Sequence, residues 1–188
     1  MLFRLRESLA GTHDRGEDEA ADAAVLIPIT AEAEPQVILT LRAGHLSSHA
    51  GEVAFPGGKR DPVDRSLVDT ALRESFEEIA LDPALVEVIG AGRRRRSRWG
   101  LEVRPFVGLV PGGLDLKANP EELEAVFSVP LAHFLVRENL RIESVEHEGR
   151  VKDLPWYPWQ DLQVWGLTAI MLIDLLNTAF AFGVDVRR

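Results

Sequence analysis

The chain of 188 residues contains no cysteine. Disulfides, zinc–thiolate centres and cysteine nucleophiles are excluded together, and the absence fits a reducing, cytoplasmic setting. Long apolar runs are missing as well. No stretch reaches the roughly 20 residues that a membrane-spanning helix needs, so no membrane partner is expected. The opening MLFRLRESLAG is short and amphipathic and lacks the long apolar core of a secretion signal; a helix over residues 2–10, packed on the domain, is expected. The closing Asp185-Val186-Arg187-Arg188 is not a peroxisomal address. Positive charge is in the minority, with 21 Lys and Arg against 30 Asp and Glu and a net charge of −9. Nucleic-acid binding is driven by phosphate neutralisation, so no nucleic-acid partner is expected. There is no internal repeat and no low-complexity linker. What is present is a hydrophobic share of 46% in a length suited to one domain with a sizeable core.

Periodicity and turn residues divide the chain into short elements. Strands are expected over 23–30, 36–42, 52–55, 85–90, 102–109 and 124–129, with a hairpin of 142–146 and 151–154 around Glu148-Gly149. Helices are expected over 2–10, 131–137 and, as an apolar helix of about five turns, 164–182. Thr12 to Ala21 and Gly44 to Ala50 read as loops. Mixed strands with few helices indicate an α/β or α+β fold.

Residues 39–81, LTLRAGHLSSHAGEVAFPGGKRDPVDRSLVDTALRESFEEIAL, carry the chemistry. Glu74, Glu77 and Glu78 stand at i, i+3 and i+4, on one face of a helix that ends at Ile79. At about 100° per residue, with Glu74 at zero, Glu77 and Glu78 fall near ~300° and ~40°. Val68, Leu72, Phe76 and Ile79 fall between about 120° and 200°, which makes them the expected buried face. Clustered like charges weaken a helix, so a cation is expected to compensate them. Oxygen ligands suit a hard divalent ion, Mg²⁺ or Mn²⁺. The bland alternative is a solvated acidic surface. Upstream, Phe55-Pro56-Gly57-Gly58 reads as a strand end and a tight loop, and Pro62 and Asp64 offer turn and N-cap chemistry. Arg93-Arg94-Arg95-Arg96-Ser97-Arg98 is either a solvated loop or a clamp for an anionic substrate, because guanidinium forks hold phosphate oxygens in pairs.

The segment resembles the Nudix box, G-x(5)-E-x(7)-R-E-U-x-E-E-x-G-U with U apolar. Gly58, Arg73-Glu74, Glu77-Glu78 and Leu81 match it. The Gly58-to-Arg73 interval is one residue longer than the general box, Asp64 stands in for the first Glu, Ser75 takes an apolar position and Ala80 replaces the late Gly. Upstream, Leu39-Thr40-x-Arg42 and His49-x-Gly51-Glu52-Val53-x-Phe55-Pro56-Gly57-Gly58-x-x-Asp61 resemble the added signature of the coenzyme A diphosphatase branch, in which an Asp near the helix start and an E-E-x-A ending also occur. The likeness continues through Val103-x-Pro105, Asn119-x-x-Glu122 and Val164-Trp165-Gly166-Leu167-Thr168-Ala169.

The resemblance implies an α/β/α sandwich with a mixed sheet. It implies hydrolysis of coenzyme A or acyl-CoA to 3′,5′-ADP and (acyl-)4′-phosphopantetheine by a monomer or homodimer. Another nucleoside diphosphate derivative, or a non-catalytic nucleotide-binding module, is the alternative. Glu74 and Glu78 are the expected principal metal ligands, with Glu77 a further ligand or acting through water. Arg73 orients a carboxylate, or forms a surface ion pair. The general base is open between Glu77 and Glu122, the latter in the Asn119-Pro120-Glu121-Glu122 loop, where a capping role is the alternative. Arg42, His49, Phe55, Gly57 and Gly58 are expected at the substrate through the signature, and Arg94, Arg95 and Arg96 at its phosphates. Trp156, Tyr157, Trp159 and Trp165 either line the substrate channel or belong to the core or a dimer interface.

Overall fold

The computed structural model describes residues 1–12, 21–45, 51–147 and 150–186. Two apolar, β-branched strands form its centre. β1 (Ala23–Thr30) runs parallel to β7 (Glu102–Val110), paired from Ala23↔Val103 to Thr30↔Val110. Their near-continuous burial is what a strand covered on both faces requires. The other pairings are antiparallel. β2 (Gln36–Arg42) and β8 (Leu123–Pro130) extend the sheet beyond β1, and β5 (Glu87–Ala91) extends it beyond β7. The sheet is therefore mixed, as expected.

β1 and β2 share one registered pair, Ile29↔Val37, and then diverge. The 53–59 segment fills the opening. β3 (Val53–Ala54) pairs with β2 at Leu41 and Thr40, and β4 (Gly57–Lys59) pairs with β1 at Val25, Ala24 and Ala23. Between them, Pro56 accepts the Leu26 N–H at 2.9 Å. Gly57-Gly58 is thus not the expected tight loop but a strand in the middle of the sheet. Gly57 is needed there for two reasons. Its φ is +150°, and a Cβ would lie 2.4 Å from the Ala24 carbonyl oxygen.

The alternation of β1 sends Ala23, Ile27 and Ile29 to one face and Ala24 and Leu26 to the other. The first face is covered by α1 (Leu2–Leu9), through Leu5 and Leu9, and by α4 (Gly166–Phe180), through Met171, Leu172, Leu175 and Leu176. The second is covered by α2 (Leu67–Ile79), through Leu67, Ala71 and Ile79. Helices on both faces give the α/β/α layering. A smaller antiparallel sheet stands apart, in the order β11 (Leu162–Trp165), β10 (Arg150–Trp159), β9 (Arg141–His147).

Several expected boundaries change, among them the strand expected over 151–154, which is β10 (Arg150–Trp159). The apolar run from Val164 does not begin the last helix: Val164 and Trp165 pair with Tyr157 and Trp156 in β11, and the chain turns into α4 at Gly166, whose φ is +60°. Arg95–Arg96, expected as loop, forms β6 against Val103 and Glu102. The short helix after β8, α3 (Leu131–Leu135), ends before Arg137, which opens a 3₁₀ turn. Among the described residues no helix is long and apolar enough to cross a membrane.

Candidate active site

α2 is held at both ends. Ser66, not Asp64, is the N-cap: its hydroxyl accepts the Asp69 N–H at 3.1 Å. At the C-terminus Ala80 takes the left-handed conformation (φ 55°) that ends a helix. The helix is rotated from its expected setting. Leu67, Thr70, Ala71, Ser75, Glu78 and Ile79 are buried, while Phe76 is 55% exposed. The buried stripe is centred on small residues because α2 lies close over β1 and β4. Ser75 satisfies its hydroxyl on the Ala71 carbonyl at 2.6 Å. The consequence is chemical: the rotation carries one acid, Glu78, into the interior, where it is 3% exposed.

Asp64 is instead the anchor of Arg73. Arg73 Nε donates to its Oδ1 at 2.9 Å and Nη2 to its Oδ2 at 3.0 Å, a two-point fork. Asp64 also accepts from the Asp61 N–H and the Thr70 hydroxyl, at 2.9 and 2.8 Å. The Arg73 hydrogen bonds hold the Asp64 carboxyl well below the usual carboxylate range, against the opposing effect of burial. So anchored, Arg73 reaches Glu74 Oε1 and Glu77 Oε2, each at 3.0 Å, and the Lys59 carbonyl at 3.1 Å. One guanidinium thus ties two of the three helix acids to the end of β4. Nothing in spacing alone links Asp64 to Arg73; the fork depends on how residues 60–66 fold back onto the helix.

Glu74 lies against Gly58, where any Cβ would stand 2.5 Å from the carboxyl carbon of Glu74. Burial raises the Glu74 pKa, opposed by Arg73 and reinforced by Glu77 and Glu122. Glu78 Oε2 accepts the Gly57 N–H at 3.0 Å, and its Oε1 lies 3.5 Å from Arg42 Nη1. Burial pushes Glu78 up to about 7; the Gly57 N–H and Arg42 oppose this, and Glu122 and Glu74 add to it. The Arg42 Nε is buried without a hydrogen-bond partner.

The loop before β8 reaches the same place. Lys117 N–H and Asn119 N–H donate to the carbonyls of Ile79 and Glu78, at 3.1 and 2.8 Å, and Ala43 N–H donates to the Glu122 carbonyl at 2.9 Å. Capping in this turn is done by Asn119 Oδ1, which accepts the Glu121 N–H at 3.1 Å. The Glu122 side chain is exposed, and its charge acts on both Glu74 and Glu78.

Beside the acids opens a cleft of about 430 Å³. Gly57, Gly58 and Lys59 border it near the acids, Arg42, Glu52 and Phe55 lie along it, and Trp165, Leu167, Ile170 and Met171 wall it on the α4 side. The arginine run divides. Arg96 and Arg98 line the cleft, whereas Arg94 and Arg95 do not. Arg95 forks onto Asp174 of α4, with Nε 2.6 Å from Oδ2, and is a fastening of β6 to the helix rather than the expected phosphate ligand. Of the aromatic group, Tyr157 is fully buried edge-on to Phe134, Trp159 meets His133, and Trp156 stacks on Trp165 at 5.0 Å. Trp165 alone of these four lines the cleft. His49 lies outside the described residues.

The NUDIX domain model matches residues 20–171. The chain belongs to the Nudix hydrolase family. It is 44% identical over 154 residues, spanning 81% of this chain and 77% of the other, to proteins of Yersinia pestis (strain Pestoides F) and Yersinia pseudotuberculosis serotype O:1b (strain IP 31758), both named uncharacterized Nudix hydrolase NudL. Among solved structures it resembles an Ap4A hydrolase of C. elegans in a binary complex (TM-score 0.51, 16% identity, 58% of this chain and 80% of that one). It also resembles the Nudix hydrolase RenU of M. smegmatis (TM-score 0.51, 19% identity, 63% and 74%). At these identities the structural likeness speaks to the fold. Family membership makes the protein a hydrolase of pyrophosphate bonds.

Nudix hydrolases generally work with divalent ions such as Mg²⁺ or Mn²⁺, and the donor set fits such an ion. It consists of carboxylate oxygens, one of them buried and disfavoured as an anion by two neighbouring acids. Among the described residues no three acids already converge on a common point, since Arg73 draws Glu74 and Glu77 aside while Gly57 and Arg42 draw Glu78.

Proposed function

We propose that the protein hydrolyses the diphosphate of coenzyme A or acyl-CoA, releasing 3′,5′-ADP and (acyl-)4′-phosphopantetheine. One observation carries the reading: Arg42, Glu52, Phe55, Gly57 and Gly58, all from the signature of the coenzyme A diphosphatase branch, line one cleft beside the acid helix. Arg42, Lys59, Arg96 and Arg98 line the cleft together with the apolar Leu167, Ile170 and Met171, a combination that suits a phosphorylated nucleotide joined to a long, weakly polar arm.

In this reading Glu74 and Glu78 hold the divalent ion, with Glu77 as a further ligand. The ion supplies neutralisation of charge on the diphosphate oxygens. The chain's own residues do the rest. Arg73, fixed by Asp64, sets the orientation of the Glu74 and Glu77 carboxylates. Arg42, between Glu78 and the cleft, offers a guanidinium to the substrate's phosphates. Glu122 accepts the proton of the attacking water: it is exposed, engaged in no cap, and close enough in charge to act on Glu74 and Glu78. Of Arg94, Arg95 and Arg96, only Arg96 lines the cleft, which supports it as the phosphate contact.

The test is a comparison of kcat/KM for coenzyme A, 3′-dephospho-coenzyme A, ADP-ribose, NADH and dATP with Mg²⁺ or Mn²⁺. The reading expects coenzyme A or an acyl-CoA first. ADP-ribose or dATP ahead by tenfold or more would replace it with the broader alternative.

A further inference from the structure

Trp99 is the exception among the tryptophans. It is 63% exposed, at the rim of the cleft. Its place at the cleft rim puts this large apolar surface within reach of a ligand in the cleft. It is also held firmly. The turn that carries it closes through Gly100 N–H to the Ser97 carbonyl (3.0 Å) and Leu101 N–H to the Ser97 hydroxyl (3.1 Å). The Arg98 guanidinium lies 5.2 Å from the Trp99 ring centroid and donates to Glu52 at 2.7 Å. Arg96, beside it, donates to the Gly100 carbonyl at 3.0 Å, has its Nε 3.7 Å from the Glu102 carboxylate and keeps 71% of its side chain in solvent. The result is a preorganised aromatic plate, backed on one face by a cation and flanked by a second. The α4 side of the cleft, at Leu167, Ile170 and Met171, is apolar, and Lys152 and Asp153 line the cleft beside Leu154.

We infer that Trp99, with Arg96 and Arg98, forms a subsite for a purine base and for a phosphate on its ribose. This places the nucleoside end of the substrate at the arginine turn and leaves the α4 side for the remainder. A fused two-ring base matches the area of an indole, stacking needs no hydrogen-bond readout, and a cation on the opposite face strengthens it. The exposed forks of Arg96 and Arg98 supply donors for a phosphate. The inference rests on the reading of the substrate as a nucleotide-linked diphosphate, and it adds which end lies where. Glu52 is the positioning residue, acting through Arg98.

Calorimetric titration of the metal-free full chain with 3′,5′-ADP, 5′-AMP and 4′-phosphopantetheine tests it. Trp99→Ala should weaken both nucleotides by about tenfold or more and leave 4′-phosphopantetheine unchanged. Trp99→Phe, which keeps a ring, should retain most of the affinity, and thermal melts report whether either variant is folded. Arg96→Ala combined with Arg98→Ala should bring 3′,5′-ADP down to the level of 5′-AMP. Wild-type affinity for 3′,5′-ADP in Trp99→Ala overturns the subsite, as does an equal loss of all three ligands in a folded variant or no nucleotide binding by the wild type. If coenzyme A is hydrolysed but Trp99 proves indifferent, the subsite falls and the proposed reaction stands. If 5′-AMP binding depends on Trp99 but coenzyme A is not cleaved, the subsite stands and the substrate reading falls.

Discussion

Glu78 has an energetic role and, in the proposed function, a chemical one. A carboxylate with a folded pKa of about 7 is protonated more readily in the native protein than in the unfolded chain. Its deprotonation therefore costs native stability as pH rises from about 4.5 to 7, at most about 3 kcal/mol. Glu78→Gln removes that cost. At pH 8 and without metal it should melt several degrees higher than the wild type, by about 2–4 °C per kcal/mol, and yet lose turnover by orders of magnitude, as should Glu74→Gln. Near-wild-type rates for both at saturating Mg²⁺ would remove the ligand assignment. Asp64 works in the opposite sense. Its depressed pKa stabilises the fold above the unfolded value of about 4, and the contribution is lost as pH falls through the folded value. Asp64→Asn should cost about 3 kcal/mol at neutral pH in a urea melt, with the gap narrowing in acid. A constant gap from pH 7 to 3 would contradict the Arg73 fork as its source. For the base, Glu122→Gln should lower kcat by about 10²–10⁴-fold with little change in Tm. If it is fully active while Glu77→Gln fails even at saturating Mn²⁺, the base lies on the helix.

At the level of elements, Gly57 and Gly58 separate structure from chemistry. A methyl on Gly57 would strike the backbone of β1 and strain a positive φ, whereas one on Gly58 would meet the end of the Glu74 side chain. Gly57→Ala should therefore lower Tm sharply, and Gly58→Ala should mainly displace Glu74 and lower kcat; the reverse order in paired melting and rate measurements would contradict the fork of β1 and β2. The long strands β1, β2 and β7 are legible because they are mostly apolar and β-branched and are followed by turn residues, even though Pro28, Pro105 and Gly108 lie inside β1 and β7. α2 was legible as a helix but not in its rotation. Angles treat Val68, Leu72 and Phe76 as the inward face, yet close approach to β4 selects Ala71 and Ser75 and draws Glu78 inside. The start of α4 is not legible because Val164 and Trp165 are as apolar as the helix they precede, and pairing with Tyr157 and Trp156 decides the matter. Likewise Arg95 looks like its neighbours in sequence; Asp174, 79 residues away, gives it a different role.

For the whole molecule, the layers explain why the candidate site residues gather at one end of the sheet. The diverging β1 and β2 admit β3 and β4, α2 closes over them, and the 117–122 loop is stitched to the C-terminus of α2. Acids from a helix and a distant loop are thereby set beside a cleft whose far wall comes from α4. If the acids hold the ion as proposed, its binding is coupled to folding. Mg²⁺ should raise Tm more at pH 8, where Glu78 is ionised, than at pH 5, where it is not; equal shifts would separate Glu78 from the metal. The central claim is tested most directly by incubating coenzyme A with Mg²⁺ and the wild type, Glu74→Gln or Glu78→Gln, and identifying the products by mass. The account predicts 3′,5′-ADP and 4′-phosphopantetheine in equal amounts from the wild type and almost none from the variants; intact coenzyme A with the wild type, or undiminished cleavage by both variants, would contradict it.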